Sequence, residues 1–338
     1  MTERITMADV AREASVSTMT VSRVVNNRYG VSSATRQKVQ AVIDQLGYRP
    51  SDIARSLVTK RTGTLGLVVP DVSNPFFSEV ARGVEHVAYA EGFSVFLCNT
   101  EEDTQRELGV LASLEEKRVD GVVLCSSRLT DSELESATTH HPAVVLCNRR
   151  LVGGDAGVVL INDEQGARVA TGHLLETGHR AVGFLAGPRT SHSGRQRAKG
   201  YCAALSDAGL SWEPGWTRHC SPTVDGGREA SRELLRASPE LSALLCYNDL
   251  VAVGALQACF DLGHRVPEDV AVVGCDDIPL AALITPPLTT SRAPRYELGS
   301  QAMELLLRRI SDSSDEMSDH SSDEIVLETE LIVRDSAP

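Results

Sequence analysis

Apolar residues near the start of the chain recur at helical spacing behind two capping residues. Thr6 stands three positions before Asp9, as in a capping box, and Ser17 opens a second helix in the same way. The apolar pairs that flank these caps as hydrophobic staples are Ile5 with Val10 and Val16 with Val21. Only about four residues separate the apolar positions of the first helix from the second cap. This spacing predicts a helix-turn-helix whose second helix is the recognition helix.

A third helix is predicted over about 32–46, with Gly47 as its stop. Its apolar positions are Val39, Val42, Ile43 and Leu46. Because this helix can cover the apolar sides of the first two, the three together make a small all-α head. The pattern alone leaves open a plain three-helix bundle with polar faces.

From residue 63 onward, short and nearly continuous apolar runs alternate with helical stretches. The runs that predict strands are 64–70, 94–98, 121–125, 143–147, 157–161, 181–186, 243–247 and 270–275. The helical patterns between them include 77–91, 104–117, 165–177 and 249–262. Strands of this kind indicate parallel sheets that are covered on both faces. Because a single sheet holding all of them would be unusually wide, the pattern predicts two α/β subdomains.

Charge divides the chain between this head and the remaining body. Residues 1–61 carry ten Lys or Arg and five Asp or Glu, a net of +5, whereas the remainder carries 23 basic and 41 acidic residues, a net of −18. A small basic head on an acidic body favours a nucleic-acid contact confined to the head. No apolar run approaches the roughly 18 residues of a membrane span. The start, MTERITMADVAREA, is not a secretory signal, so a cytoplasmic protein with no membrane partner is expected.

The eight cysteines lie too far apart in the sequence for a zinc knuckle or a redox pair. Those inside or at the end of apolar runs, and therefore predicted to be buried free thiols, are Cys98, Cys125, Cys147, Cys246 and Cys275. We expect neither a metal nor a cofactor.

The N-terminal part of a recognition helix faces the base edges, which places Thr18, Met19 and Arg23 nearest the bases. Arg23 can form two hydrogen bonds to guanine, and Met19 can contact a thymine methyl group. The residues predicted to meet phosphates are Thr20, Ser22, Asn26 and Arg36. The capping residues Thr6 and Ser17 belong to the same predicted DNA-binding set.

Beyond the head, Pro50 is followed by a predicted helix of about two turns that ends near Leu57. A helix this short is marginal in water and needs DNA or a partner helix to stay folded. Leu57 has no obvious core to join. On these residues alone it is either an incidental leucine of a linker or an apolar wedge for the minor groove.

The head strongly resembles the LacI-type (lactose repressor) family of bacterial transcription regulators. The matching stretches are the DVA and TVSRV parts of the first two helices, TRQKV in the third, GYRP after it and ARSL in the hinge. In that family, paired hinge helices enter the minor groove at the centre of a palindromic operator, and a leucine wedges into a CG step. The resemblance therefore implies that Leu57 is the wedge and that Ala54 is also DNA-binding. Ser15 departs from the Gly or Asn often found in the turn, but leaves the motif intact.

The body resembles the same family through LGLVVPDVSNPFF, KRVDGVV, GHRAVGFLAG, RAKGY, YND, RVPEDVAVVGCDD and PPLTT. The resemblance implies a periplasmic-binding-protein-like α/β body of two doubly wound subdomains with three chain crossings. The implied domains are the helix-turn-helix over 1–48, the hinge helix and linker over 49–62 and the ligand-binding and dimerisation body over 63–338. Lobe one would comprise about 63–161 and 292–321, and lobe two about 162–291 and 322–338.

Ligands of open α/β sheets bind beyond the carboxyl ends of the strands, in the crevice between lobes. Polar residues that follow predicted strands are therefore candidates, and asparagine, aspartate and arginine suit neighbouring hydroxyl groups. Matching Arg, Asn and Asp residues contact hydroxyls in sugar-binding members of the family. The residues predicted to bind the effector are Phe76, Phe77, Asn148, Ser193, Arg197, Asn248 and Asp276. The two phenylalanines would supply an apolar face to a ring.

Departures from the family pattern narrow the class of effector. Some members place an aromatic platform before the helix that begins near Asp225, where this chain has no ring. Many members have Asp at Ile161, and purine-responsive members carry Arg near Ser191. Ser191 and the YND sequence therefore disfavour a purine, and a sugar or sugar phosphate is favoured.

Together these features predict a non-enzymatic transcription regulator, a repressor that binds a palindromic operator as a homodimer. A small sugar-like molecule in the cleft between the lobes would control its affinity for DNA. A regulator of the same fold controlled by a partner protein stays open. A sugar-binding transport protein shares the body but not the head. The neighbouring Asp276 and Asp277 could suggest an enzyme, but no nucleophile, base or metal spacing accompanies them.

Overall fold

The computed structural model describes residues 5–26, 28–48, 61–151, 153–312 and 323–338, which form two compact units divided between Thr62 and Gly63. The first unit contains α1 (Met7–Glu13), α2 (Thr18–Val25) and α3 (Ser33–Leu46). Its core consists of Val10, Ala11, Ala14, Val21, Val24, Val39, Val42 and Tyr48. Three short helices thus close around one small apolar cluster.

The predicted capping residues of the head are confirmed. Thr6 forms a complete capping box with Asp9 before α1, and Ser17 accepts a hydrogen bond from a backbone N–H of α2. Gly47 ends α3 in the left-handed conformation, with φ of 63°. Ser15, in the turn between α1 and α2, has φ of 52°, the region in which a serine is less favourable than a glycine.

Arg36 has a structural role that the sequence did not predict. Its Nη2 donates to the carbonyl oxygen of Arg28 over 2.9 Å, and its Nη1 donates to that of Val24 over 3.4 Å. The guanidinium therefore ties α3 to the end of α2, and its predicted contact with a phosphate stays a prediction.

The second unit contains two six-stranded sheets, and each forms the centre of one lobe. The first sheet comprises β1 (Thr64–Val69), β2 (Ser94–Asn99), β3 (Val122–Cys125), β4 (Val144–Cys147), β5 (Gly157–Ile161) and β11 (Glu324–Leu327). Its strand order is β11-β5-β4-β3-β1-β2, and all neighbours are parallel. The helices of this lobe are α4 (Pro75–Ala90), α5 (Thr104–Glu116), α6 (Asp131–Thr138) and α11 (Arg295–Asp312).

The second sheet comprises β6 (Val182–Ala186), β7 (Thr217–His219), β8 (Ala243–Cys246), β9 (Ala271–Asp276), β10 (Thr289–Arg292) and β12 (Glu330–Ile332). Its order is β12-β10-β9-β8-β6-β7, with β12 antiparallel to β10 and the other neighbours parallel. The helices are α7 (Asp163–Glu176), α8 (His192–Asp207), α9 (Val224–Ala237) and α10 (Asp249–Leu262). The predicted fold class, a helical head with a two-lobed α/β body, is confirmed.

The chain passes from one lobe to the other after β5, after β10 and after β11. The predicted placement of 322–338 in the second lobe is wrong for β11, because Ile325 lies in register with Val159 of β5. Neighbouring crossings are hydrogen-bonded to each other: the N–H of Asn162 donates to the carbonyl oxygen of Leu327 over 2.8 Å. The segments that join the two lobes are thus hydrogen-bonded to one another where they cross.

Strand β2 lies at the edge of its sheet and is exposed along much of its length. Phe96 is 43% exposed and Leu97 is 52% exposed. The prediction that Cys98 is buried is wrong for the same reason, since Cys98 is only partly covered. The other four cysteines predicted to be buried free thiols are buried and unpaired, as expected: Cys125, Cys147, Cys246 and Cys275.

Helices cross within each lobe at distances that only glycine allows. A Cβ atom on Gly83 of α4 would lie 2.2 Å from the carbonyl oxygen of Tyr296 in α11. A Cβ atom on Gly254 of α10 would lie 2.1 Å from the carbonyl oxygen of Val224 in α9. These contacts hold the helix layers rigidly and so fix the strand ends that they flank.

Candidate DNA-binding and effector sites

The outer face of α2 presents the residues predicted to be nearest the bases. Thr18 and Arg23 are exposed, and Met19 is 65% exposed although its side chain is apolar. Val21 and Val24, on the opposite face of α2, are buried in the core of the head. The helix is thus anchored by one face and offers the other to a partner.

Several other predicted DNA-binding residues already make hydrogen bonds within the head. The Thr6 hydroxyl donates to the Asp9 carboxylate over 2.6 Å, and the hydroxyls of Ser17 and Thr20 lie 2.9 Å apart. Asn26 donates to the carbonyl oxygen of Ser22 over 2.8 Å. These residues shape the two helix ends and remain at the surface. Ala54 and Leu57 lie outside the described residues.

In the body, the carboxyl ends of the two sheets face a shared cleft, the place where open α/β sheets bind their ligands. The structure brings all seven predicted effector residues to its walls: Phe76, Phe77, Asn148, Ser193, Arg197, Asn248 and Asp276. They come from both lobes and from segments that are far apart in the sequence.

Seven further residues line the cleft and were not predicted: Asp71, Asn74, Glu102, Ser126, Arg128, Pro222 and Tyr247. Ser126 and Tyr247 directly follow β3 and β8, so the rule of polar residues at strand ends could have found them. Glu102 and Arg128 lie further along their loops, where no local pattern marks them.

Arg197 is the centre of a buried ionic cluster in the second lobe. Its guanidinium lies 2.7 Å from the Asp163 carboxylate and 3.4 Å from that of Asp276, and it also donates to the carbonyl oxygen of Tyr247. Burial raises the pKa of Asp276 to about 7, an effect that the nearby Arg197 reduces without cancelling. A carboxyl group that titrates near neutrality is therefore available to a ligand in the cleft.

Both asparagines of the predicted site use their side-chain oxygen within the protein. The Asn148 oxygen accepts from the N–H of Ile161 over 3.0 Å, and the Asn248 oxygen accepts from that of Val251 over 2.8 Å, which caps α10. The amide of Asn248 also donates weakly to Pro222 over 3.3 Å. These bonds fix the orientation of both amides at the cleft wall.

The two phenylalanines form an apolar corner at the start of α4. Their ring centroids lie 5.0 Å apart with an interplanar angle of 76°, an edge-to-face arrangement. Asn74 caps α4 by accepting from the N–H of Phe76 over 3.0 Å, which places both rings at the cleft. The two rings thus form an apolar patch in a cleft whose other lining residues are mostly polar or charged.

Among the described residues, no group of three or more His, Cys, Asp or Glu is arranged to hold a metal ion. In the same part of the chain, no helix combines the length and apolar character needed to cross a membrane.

Two family models match the chain. "Bacterial regulatory proteins, lacI family" matches residues 6–51, and "Periplasmic binding proteins and sugar binding domain of LacI family" matches residues 62–329. The chain belongs to the LacI family. It therefore combines a DNA-binding helix-turn-helix with the sugar-binding type of domain that characterises LacI-family regulators.

Curated relatives of this LacI-family member are transcriptional repressors. The ribose operon repressor of Escherichia coli is 40% identical over 307 residues, which cover 90% of this chain and 93% of the relative. The transcriptional repressor PurR of Aliivibrio salmonicida is 37% identical over 317 residues, which cover 92% and 94%. A solved structure of the lac repressor dimer bound to operator and the anti-inducer ONPF has a TM-score of 0.86, 26% identity and 99% coverage of both chains.

Proposed function

We propose that this protein is a homodimeric repressor that binds a palindromic operator and changes its operator affinity when a sugar-like molecule occupies the inter-lobe cleft. The observation that carries the proposal is the convergence of all seven predicted effector residues on one cleft. They follow different strands and are far apart in the sequence, so their meeting at one site supports a shared role.

The chemistry of the cleft wall suits a sugar. A sugar ring presents hydroxyl groups at its edge and C–H groups on its faces. Asp276 and Arg197 offer an acceptor and donors for hydroxyls, and Phe76 with Phe77 offers an apolar surface for the ring. At the position where purine-responsive members carry Arg, Ser191 is buried and its hydroxyl lies 2.9 Å from that of Tyr247. The name of the ribose operon repressor also directs the choice of a first probe to ribose.

A ligand in this cleft contacts both lobes. Asn148 belongs to the first lobe, whereas Arg197, Asn248 and Asp276 belong to the second. A molecule bound to both sets stabilises the lobe arrangement in which they face each other. If operator binding favours one arrangement, effector and operator must change each other's affinity by the same factor.

Dimerisation is supported by an exposed apolar surface on each lobe. In the first lobe, Phe96 and Leu97 stand on the uncovered edge strand β2. In the second lobe, Phe260 at the end of α10 is 85% exposed and Leu283 is 79% exposed. Exposed edge strands and apolar surfaces of this kind are usually covered by a partner. A second copy of the chain would also supply the second head that a palindrome requires.

The proposal is tested by a thermal-shift screen of the full-length protein against sugars, followed by operator binding with and without the sugar that raises Tm. We expect one sugar to raise Tm and to change operator affinity. The variant Arg23→Ala should keep the Tm shift and bind the operator more weakly, because Arg23 lies in the head and does not line the cleft. If no sugar raises Tm or changes operator binding, the alternative of control by a partner protein takes precedence.

A further inference from the structure

One ion pair in the first lobe, between Glu102 and Arg128, lines the cleft and has no part in the function proposed above. The Nε atom of Arg128 donates to one carboxylate oxygen of Glu102, and its Nη2 atom donates to the other over 2.9 Å. The backbone N–H of Arg128 donates to the buried carboxylate of Glu107 over 3.1 Å. The Arg128 side chain is 4% exposed, so its guanidinium is held in one orientation.

Two buried polar atoms at the walls of this cleft have no hydrogen-bond partner among the described residues. They are Nη1 of Arg128, from the first lobe, and Oγ of Ser193, from the second lobe. Buried donors and hydroxyls are nearly always satisfied in folded proteins. A ligand with oxygen atoms that accept hydrogen bonds would satisfy both atoms at once.

The positive charges that line the cleft are already paired without a ligand. Its carboxylates belong to Asp71, Glu102 and Asp276, and its guanidinium groups belong to Arg128 and Arg197. Each guanidinium is paired with a carboxylate, Arg128 with Glu102 and Arg197 with Asp276 and Asp163. A phosphate or carboxylate group on the ligand would find no unpaired guanidinium group among these lining residues, and the ionised carboxylates of Asp71 and Glu102 would repel it.

We propose that the effector is an uncharged sugar, and that Arg128, oriented by Glu102, donates a hydrogen bond from Nη1 to one of its hydroxyl oxygens. Ser193 binds the same molecule from the opposite lobe. This inference rests on the proposed function and narrows it, because the sequence favoured a sugar or a sugar phosphate without choosing between them. Arg128 and Glu102 become residues that determine specificity.

Arg128 keeps its charge although it is buried, and its side chain lies close to that of Tyr247. Burial opposes the charged form, but the nearby Tyr247 and Glu102 outweigh it and raise the pKa of Arg128. Tyr247 belongs to the second lobe, whereas Arg128 belongs to the first. The guanidinium of Arg128 therefore lies where the two lobes meet, and a ligand bound beside it contacts both lobes.

The test is isothermal titration calorimetry of the full-length protein with sugars and their phosphate esters as matched pairs. The pairs are D-ribose with D-ribose 5-phosphate, D-glucose with D-glucose 6-phosphate and D-fructose with D-fructose 6-phosphate. In the pair that binds, we expect the neutral sugar to bind at least about tenfold more tightly than its ester, the effect of one unfavourable charge contact. If the ester binds equally or more tightly, the inference is overturned while the proposed function stands. If no member of any pair binds, the proposed sugar effector fails and the inference fails with it.

Variants of Arg128 and Glu102 test whether the preference for the uncharged sugar depends on this ion pair. Arg128→Met should weaken binding of the neutral sugar about tenfold or more, since a hydrogen bond to a charged donor is lost. Glu102→Gln should leave Arg128 without its counter-charge and shift the ratio of affinities about tenfold toward the ester. Arg106→Met is the matched control, because Arg106 forms an exposed pair with Glu101 over 2.7 Å and does not line the cleft.

Loss of folding is distinguished from loss of the contact by two further measurements. The double variant Glu102→Gln with Arg128→Met leaves no unpaired charge from this ion pair and should fold while still binding the neutral sugar weakly. Thermal unfolding of each variant without ligand reports its stability separately. Wild-type sugar affinity in a folded double variant would overturn the role of Arg128.

Discussion

The Nη2 atom of Arg197 in α8 lies 3.4 Å from a carboxylate oxygen of Asp276 at the end of β9, and both side chains are buried. Burial nevertheless raises the pKa of Asp276 to about 7. An ionised carboxylate accepts a hydrogen bond from a sugar hydroxyl more strongly than a protonated carboxyl does. The protonation of Asp276 should therefore control effector binding near neutral pH.

We expect effector affinity to rise between pH 6 and pH 8 as Asp276 loses its proton. Asp276→Asn should bind about tenfold more weakly at pH 8 and show no such rise, because a charged acceptor is lost. Calorimetric titrations across this range check the result. Asp269→Asn is the control, since Asp269 forms a surface pair with Arg265 over 2.8 Å. An unchanged pH dependence in Asp276→Asn would assign the titration to another group.

Asp276 also makes stability depend on pH. Its folded-state pKa of about 7 lies above the ordinary value near 4, so the folded chain binds this proton more tightly than the unfolded chain. The stabilisation is fully present below about pH 4 and is lost as the pH rises through about 7. Urea unfolding of wild type and Asp276→Asn should therefore differ in slope against pH within this window, with the variant less dependent on pH.

Arg197→Met should strongly destabilise the body. The substitution leaves the buried carboxylates of Asp163 and Asp276 without their shared cation, a loss of about 3–5 kcal/mol in the free energy of unfolding. Arg168→Met is the matched control in the same lobe, because Arg168 forms a half-exposed pair with Asp207 and should contribute only about 0–1 kcal/mol. Chemical denaturation measures both. Equal losses of unfolding free energy in the two variants would show that the positive charge of Arg197 does not stabilise the buried cluster.

Arg23→Ala should weaken operator binding by about 1–3 kcal/mol and relax the preference at one base pair. The stability of the head should change little, because Arg23 is exposed. Gln45→Ala, at an exposed position near the end of α3, should leave operator affinity unchanged. Fluorescence anisotropy with the operator and with single-base variants measures both effects. Uniform weakening across all sequences would instead indicate that Arg23 contacts a phosphate.

Two glycine substitutions in helices of the same lobe should have opposite effects. Gly83→Ala places a methyl group 2.2 Å from a carbonyl oxygen of α11 and should lower the free energy of unfolding by about 1–3 kcal/mol or more. Gly109→Ala, in α5, meets nothing within 4 Å and should raise it by about 1 kcal/mol through helix propensity. Thermal unfolding of both variants measures these changes in stability. If Gly83→Ala leaves the stability unchanged, α4 and α11 can separate at little cost in free energy.

Leu97→Glu should favour the monomer, because it places a charge in the apolar surface proposed to meet a second copy. Leu97 is 52% exposed in the single chain, so the substitution should not reduce the stability of the fold itself. Sedimentation equilibrium gives the dimer fraction, with Glu116→Ala at the exposed end of α5 as a control. A fully dimeric Leu97→Glu would place the interface elsewhere.

The sequence predicted those features that depend on local pattern. The caps Thr6 and Ser17, the stop at Gly47 and the strands built from continuous apolar runs all follow from neighbours within a few positions. Strand β7 (TRH) and strand β10 (TTSR) were missed because both are short and polar. Their strand geometry comes from the neighbouring strands, with Thr289 in register with Val273 of β9. Tertiary pairing, which a local pattern does not encode, decides such elements.

The residues of the cleft likewise divide into those that a local sequence pattern predicts and those that only the fold brings together. Asn148, Asn248 and Asp276 were found because each directly follows an apolar strand. Arg128 and Glu102 were missed because they are 26 positions apart in the sequence, and only the fold joins them. The burial of Arg128 also has no sequence signal, since isolated arginines are usually exposed.

The position of β11 next to β5, and of β12 next to β10, has a consequence for how the protein is made. Each sheet receives one strand from residues 324–332, so neither lobe can be completed until these residues have been translated. Contacts between residues so far apart in the sequence form slowly and leave apolar surface exposed meanwhile. A ribosome that stalls or releases the chain before Glu324 would therefore yield a body with both sheets unfinished, whereas the head needs only its first 48 residues.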